Sequence, residues 1–218
     1  MYKGSAERVL SLSQKFDQYF FVDNDKISIT ELEKRLREKN IVNNKCSFIC
    51  GDVNTQIENL SNSLDKGKAA LVLLDPFGMQ INWASIEKLK NKRVDLWILI
   101  PSGVIINRFL DRKGKLKFSS KLQSYFRLTE DEIKERFYES ETVETLFGSV
   151  DIIVKTNDSI GKIAALYIDK LKKIFKFVSQ KPLILSNTKN VPIFHFVFAS
   201  NNKIALKIAD QIIEKKNK

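Results

Sequence analysis

The stretch Ala69-Ala70-Leu71-Val72-Leu73-Leu74, cut off by Asp75-Pro76-Phe77-Gly78, limits what this chain can fold into more than any other. Six apolar residues in a row leave no wet face. They predict a central strand of a parallel sheet with helices on both sides. Proline then removes a ladder donor, and glycine permits a sharp turn. Ligands of open α/β sheets bind just beyond the carboxyl ends of the strands, which is where Asp75 and Phe77 fall.

The neighbouring sequence repeats this arrangement. A short helix opened by Ser5 is expected within Lys3–Leu10, then a strand over Phe16–Val22 that ends in Asp23-Asn24-Asp25. Ser28 or Thr30 can cap a helix over Glu31–Asn40. A strand at Phe48–Cys50 closes on Gly51-Asp52-Val53-Asn54, and Ile57, Leu60 and Leu64 mark a helix that stops near Gly67. After the apolar run come a short helix at Ser85–Lys90 and a strand at Val94–Ile100 that ends in Pro101-Ser102-Gly103. Strands alternating with helices predict a doubly wound, mostly parallel α/β sheet. The pattern changes at about 104–157, read as a helical insertion: a helix over Val104–Leu110, a polar loop over Asp111–Ser120 and a helix opened by Thr129 with acids in its first turn. Ile160–Lys173 is amphipathic, with Ile163, Leu166, Tyr167, Leu171 and Ile174 on its apolar side. Lys176–Leu185 and Val191–Phe198 read as an antiparallel hairpin at the sheet edge, and Ile204–Ile213 as a closing helix. At 218 residues this is one domain, 1–218, carrying one insertion.

No run approaches the roughly 20 apolar residues of a membrane span, and the start has no signal-peptide core, so a soluble cytoplasmic protein without a membrane partner is expected. Cys46 and Cys50 would stand roughly 13 Å apart on one strand face, too far to bridge, and read as buried reduced thiols. The net charge of +11 favours anionic partners such as nucleic acid. Lysine outnumbers arginine heavily, and lysine is the weaker tool for bidentate recognition.

Acids stand at three strand tips: Asp23 with Asp25, Asp52, and Asp75. In a doubly wound sheet these tips meet at one crevice, where a carboxylate suits a ribose diol. Aspartate is equally an ordinary turn former at strand ends. Half of the arginines (Arg108, Arg112, Arg127, Arg136) fall in the insertion, among Lys113, Lys115, Lys117 and Lys121 and the aromatics Phe118, Tyr125 and Phe126. Such interleaving suits single-stranded bases and phosphates, or is simply a solvated surface. Arg108 and Arg112 are the candidate substrate contacts. His195, the single histidine, sits between Phe194 and Phe196 and reads as structural, with too few ligands nearby for a metal.

Phe20-Phe-Val-Asp-Asn-Asp25, Gly51-Asp-Val-Asn54, Leu73-Leu-Asp-Pro-Phe-Gly78 with Trp83, Pro101-Ser-Gly-Val-Ile-Ile-Asn-Arg108 and Val191-Pro-Ile-Phe-His-Phe-Val-Phe-Ala-Ser200 occur in that order. The set resembles the three-Cys-motif partner proteins, which look like class I S-adenosylmethionine-dependent methyltransferases with a Rossmann-like sheet. The resemblance implies S-adenosylmethionine as cofactor, with Asp23 and Asp25 near its ribose and Asp52 near its adenine. It implies an amine, of a nucleic acid or of another substrate, as methyl acceptor, held by Asp75 and Pro76 with Phe77 as the neighbouring aromatic. It also implies a three-Cys-motif protein as partner. Two departures stand out. Phe77 comes one place earlier than the aromatic of an Asp-Pro-Pro-Tyr motif, so it is either a base platform or a core residue. The opening strand with its glycine-rich turn has no counterpart here, so a central strand between those ending at Asp23 and Asp75 is expected to be missing. A truncated chain, a partner or a rearranged pairing would account for that. A non-catalytic partner-binding remnant and a basic nucleic-acid-binding module are the alternative functions.

Overall fold

The structure, a computed structural model, describes residues 4–64 and 67–216; Lys3, at the start of the expected opening helix, lies outside them. The chain is mixed α/β with partly parallel sheets and falls into two compact units that divide after Asn59.

The first unit holds α1 (Ser5–Leu10), β1 (Tyr19–Asp23), α2 (Lys26–Glu38) and β2 (Cys46–Cys50), and α3 (Val53–Ser63) begins in it. β1 and β2 run parallel, in register from Tyr19 opposite Cys46 to Asp23 opposite Cys50. Parallel neighbours need a crossover, and α2 supplies it. The core gathers Leu10, Tyr19 and Leu36, with Phe21 stacked on Phe48 at 5.2 Å. α2 starts five residues before the expected Glu31. Asp25 is the cap: its carboxylate accepts the Ile27 and Ser28 amides and also the Ser28 hydroxyl. Ser28 therefore serves the cap without being it, and Thr30 turns back to the Lys26 carbonyl. β1 begins at Tyr19, with Phe16 packed edge-on against that ring. The expectation of buried thiols fails for Cys50, which is exposed at the strand tip with Sγ 3.6 Å from the Asn24 carbonyl; Cys46 is half-buried and both are free.

The second unit carries β3 (Ala70–Leu74), α4 (Trp83–Glu87), β4 (Val94–Ile100), a π-helical turn (Ser102–Ile106) running into α5 (Asn107–Phe109), α6 (Ser119–Phe126), α7 (Glu130–Phe137), β5 (Tyr138–Thr145), β6 (Gly148–Lys155), α8 (Ser159–Lys172), β7 (Phe177–Val178), β8 (Leu183–Ser186), β9 (Pro192–Ser200) and α9 (Lys203–Lys216). The sheet order is β3-β4-β9-β7, with β8 also on β9; β3 and β4 are parallel and the other pairings antiparallel. β4 fits the expected strand residue for residue, and Val94, Leu96, Ile98 and Ile100 are all buried.

Three expectations are corrected here. β3 ends this sheet and is not central: Leu71 and Leu73 are about half exposed, so the apolar run is covered on one face only. An uninterrupted run reports apolarity, not how many faces are covered. The segment 104–157 is not all helical. Its second half is the β5–β6 hairpin, paired from Tyr138 opposite Lys155 to Thr145 opposite Gly148. Helix α7 ends where Tyr138 turns extended, and Gly148 (φ 113°) completes the reversal at Leu146-Phe147. Finally, β8 and β9 do form an antiparallel hairpin, but β9 is interior, with β4 on its other side. The run Lys176–Leu185 is split into β7 and β8 around Pro182, which cannot donate to a ladder.

Behind the sheet, Trp83 meets Tyr167 edge-on at 5.1 Å, Tyr167 lies 5.1 Å from Tyr125, and all three rings are buried. Among the described residues no helix is long and apolar enough to cross a membrane.

Candidate functional site

In the first unit, the strand-tip acids are engaged locally. Asp23 accepts the Asp25 amide at 2.9 Å. Asp25 caps α2, and the Ser28 hydroxyl and the Ser28 and Ile27 amides together hold its carboxyl below the usual range. Asp52 accepts the Thr55 amide at 3.0 Å and the Asn54 side chain, opening α3. These are turn and cap bonds. Nor is Gly51 a cradle: a Cβ there would meet Gln56 at an ordinary 3.4 Å. Asp23, Asp25 and Asp52 are thus engaged in their own turns and caps, and Gly51 does not mark a close backbone approach.

In the second unit, Asp75, Pro76 and Phe77 follow β3. Asp75 is exposed and Phe77 is 87% exposed, so Phe77 is not a core residue. The turn under it is fixed, because Gly78 is buried and a Cβ there would stand 3.1 Å from Ile105. The tip of β4 is held as firmly. A Cβ on Gly103 would collide with the Pro192 carbonyl, and the Ser102 hydroxyl shares a buried 2.7 Å hydrogen bond with His195 Nδ1. Burial lowers the pKa of His195, partly opposed by Asp158.

The basic insertion is divided by the structure. Arg108, in α5, is exposed just before a short loop closed by the Leu110–Leu116 bridge, and Arg112 is exposed within that loop. Lys155 pins its base, donating to the Asn107 and Leu110 carbonyls at 2.6 and 2.9 Å. Phe118 is exposed with Lys121 5.9 Å above its ring, whereas Tyr125 and Phe126 belong to the core. Arg127 pairs with Glu87, which also accepts from Trp83 Nε1 at 3.0 Å.

Sequence reasoning missed one convergence of positive charge. An open pocket of about 500 Å³ is lined by Arg136 at the end of α7 and by Lys162, Lys170 and Lys173 on and just after α8, over a floor that includes Phe137 and Leu166. None of the four cations makes an ion pair among the described residues, and the one acid in the wall, Asp169, is taken by Lys172 at 2.9 Å. Lys170 lies 4.7 Å over the Trp83 ring. Burial lowers its pKa, Lys173, Arg127 and Arg136 push the same way, and Glu132 partly opposes them. The cations therefore repel one another and an anion would relieve them. The signal was present: Lys162, Lys170 and Lys173 share one helical face. It reads as the wet side of an amphipathic helix until Arg136 arrives from another element.

Compared with family models, curated proteins and solved structures, the chain matches none of them.

Proposed function

We propose that the protein binds nucleic acid by its phosphates, through the pocket of Arg136, Lys162, Lys170 and Lys173, on a Rossmann-like scaffold related to the three-Cys-motif partner proteins. The observation that carries this reading is the convergence of four unpaired cations from two elements on one concave surface. Exposed Phe118 and Phe77 offer stacking platforms of the kind single-stranded nucleic acids use. The test is oligonucleotide binding followed by fluorescence anisotropy at several salt concentrations. Each phosphate neutralised contributes about −0.7 to the slope of log K against log salt for a single strand, so four contacts give a slope near about −3. Replacing Lys170 and Lys173 with methionine should flatten the slope by about 1.4. A flat salt response in the parent chain sinks the proposal.

A second reading, methyl transfer from S-adenosylmethionine to an amine, is favoured by one observation: an exposed carboxylate and an exposed aromatic, Asp75 and Phe77, on a fixed turn at a parallel strand tip. In it Asp75 and the Pro76 carbonyl accept the amine hydrogens while Phe77 stacks on the ring. The glycine-rich turn expected from the resemblance has no counterpart in the sequence, and a three-Cys-motif partner is the proposed companion. Calorimetry with S-adenosylmethionine, with and without that partner, separates the readings. Heat that disappears in Asp23→Ala supports methyl transfer, and no heat in either sample leaves the nucleic-acid reading alone.

A further inference from the structure

Beyond its base, the β5–β6 hairpin is left largely uncovered by the described residues. Residues 139–153 of its strands are exposed, and Leu146 and Phe147 at the tip are essentially fully so. An isolated two-stranded hairpin is marginal in water and normally needs a packing surface. Its two faces differ. Opposed residues share a face, so Glu139, Glu141, Val143, Val150, Ile152 and Val154 stand together on one side. On the other, Thr142 bonds Asp151 and Glu144 bonds Ser149. Charge marks the arm further. Residues 138–155 hold four acids (Glu139, Glu141, Glu144, Asp151) and one base, a net of 1 − 4 = −3, while the rest of the chain carries 11 + 3 = +14.

A matching surface lies on α9 of the same unit. Ile204, Ile208 and Ile212 form an exposed ridge at four-residue spacing, 70, 53 and 49% exposed. Lys203 and Lys207 flank it, Lys215 stands within it, and Glu214 is the one exposed acid on the helix. The spacings agree. Two residues along a strand advance about 6.8 Å and four along a helix about 6 Å, so Glu139 and Glu141 can meet Lys207 and Lys203 in register. The isoleucines are bare, so the arm of the same chain does not cover them.

We propose that the acidic, apolar face of this hairpin docks on the α9 ridge of a second copy of the chain, and that the exchange is reciprocal, forming a two-fold dimer. A reciprocal contact buries both surfaces twice and leaves no open end for further growth. Sedimentation velocity of the full chain over a range of concentrations tests it. The expected result is a dimer at low salt whose dissociation constant rises as salt screens the charge pairs. Glu139→Lys with Glu141→Lys, and separately Lys203→Glu with Lys207→Glu, should each raise that constant at least about tenfold. All four positions are exposed, and circular dichroism checks that each variant folds. Mixing the two variants should restore the dimer, because every contact in the mixed pair is again of opposite charge. A parent chain that is monomeric throughout, a dimer indifferent to either reversal, or a mixture that stays monomeric would each overturn the proposal.

Discussion

His195 is the single histidine of the chain, which makes the acid side of its stability unusually easy to assign. It is buried on β9, bonded to Ser102, with its pKa lowered by burial. The folded state therefore favours neutral imidazole, while the unfolded chain takes up a proton below about pH 6.5. Stability from this group is complete above that pH and is lost as the pH falls from there toward the depressed folded pKa. One proton sets the limit: moving from pH 7.5 to 5.5 costs at most about 1.4 kcal/mol. The carboxylates whose pKa is lowered, Asp25, Glu130 and Glu132, stay ionised in both states over that interval. Asp210, raised by burial and by Glu214, works in the opposite direction and is common to parent and variant. Both tryptophans, Trp83 and Trp97, lie in the second unit with His195, so their fluorescence reports the right transition. Urea unfolding at pH 7.5 and 5.5 should show the midpoint falling by roughly 0.5–1 M in the parent. His195→Gln should start less stable but lose this pH dependence. A parent midpoint that does not move, or an unchanged slope in His195→Gln, refutes the reasoning.

Other perturbations separate site from scaffold. Phe77→Ala should leave the unfolding midpoint within about 0.5 kcal/mol of the parent, since the ring is almost wholly exposed, while weakening oligonucleotide binding measured by anisotropy. Gly103→Ala should destabilise the second unit by about 1–3 kcal/mol in urea unfolding, because the new Cβ meets a backbone carbonyl that cannot rotate away. Asp25→Ala should cost the first unit about 1 kcal/mol, read by far-ultraviolet circular dichroism, through loss of the α2 cap. Inorganic phosphate should raise the melting temperature of the parent but not of Lys170→Met with Lys173→Met, since an anion bound to the folded state stabilises it by mass action.

Local patterns in the sequence were the most readable. The largely apolar run of β4, the periodic faces of α8 and α9, and the Thr129–Glu132 capping box each announce their element with no distant information. The start of α2 was misplaced because Asp25, Ser28 and Thr30 all suit a cap, and only the bonds in the fold choose among them. The hairpin over 138–155 carries β-branched threonine, valine and isoleucine residues, but without a regular alternation to set it apart from the helices before it. Pairing was not legible. That β3 ends its sheet and β9 lies inside it depends on partners far along the chain, as does the meeting of Arg136 with the lysines of α8. Of the candidate site, the exposed Asp75-Pro76-Phe77 turn was visible, while the same inspection could not tell that Tyr125 and Phe126 face the core.

The placement of β9 against β4 has a consequence for how the chain is made. Ser200 sits opposite Asp95 and donates to its carboxylate across a sequence separation of 105. The middle of this sheet therefore cannot close until β9 has left the ribosome. Until the last strand emerges, β4 presents an open hydrogen-bonding edge beside a buried-to-be apolar face, a state prone to wrong pairing. High contact order also slows the search for the native pairing. The first unit, whose two strands are joined by one helix, is free of that delay.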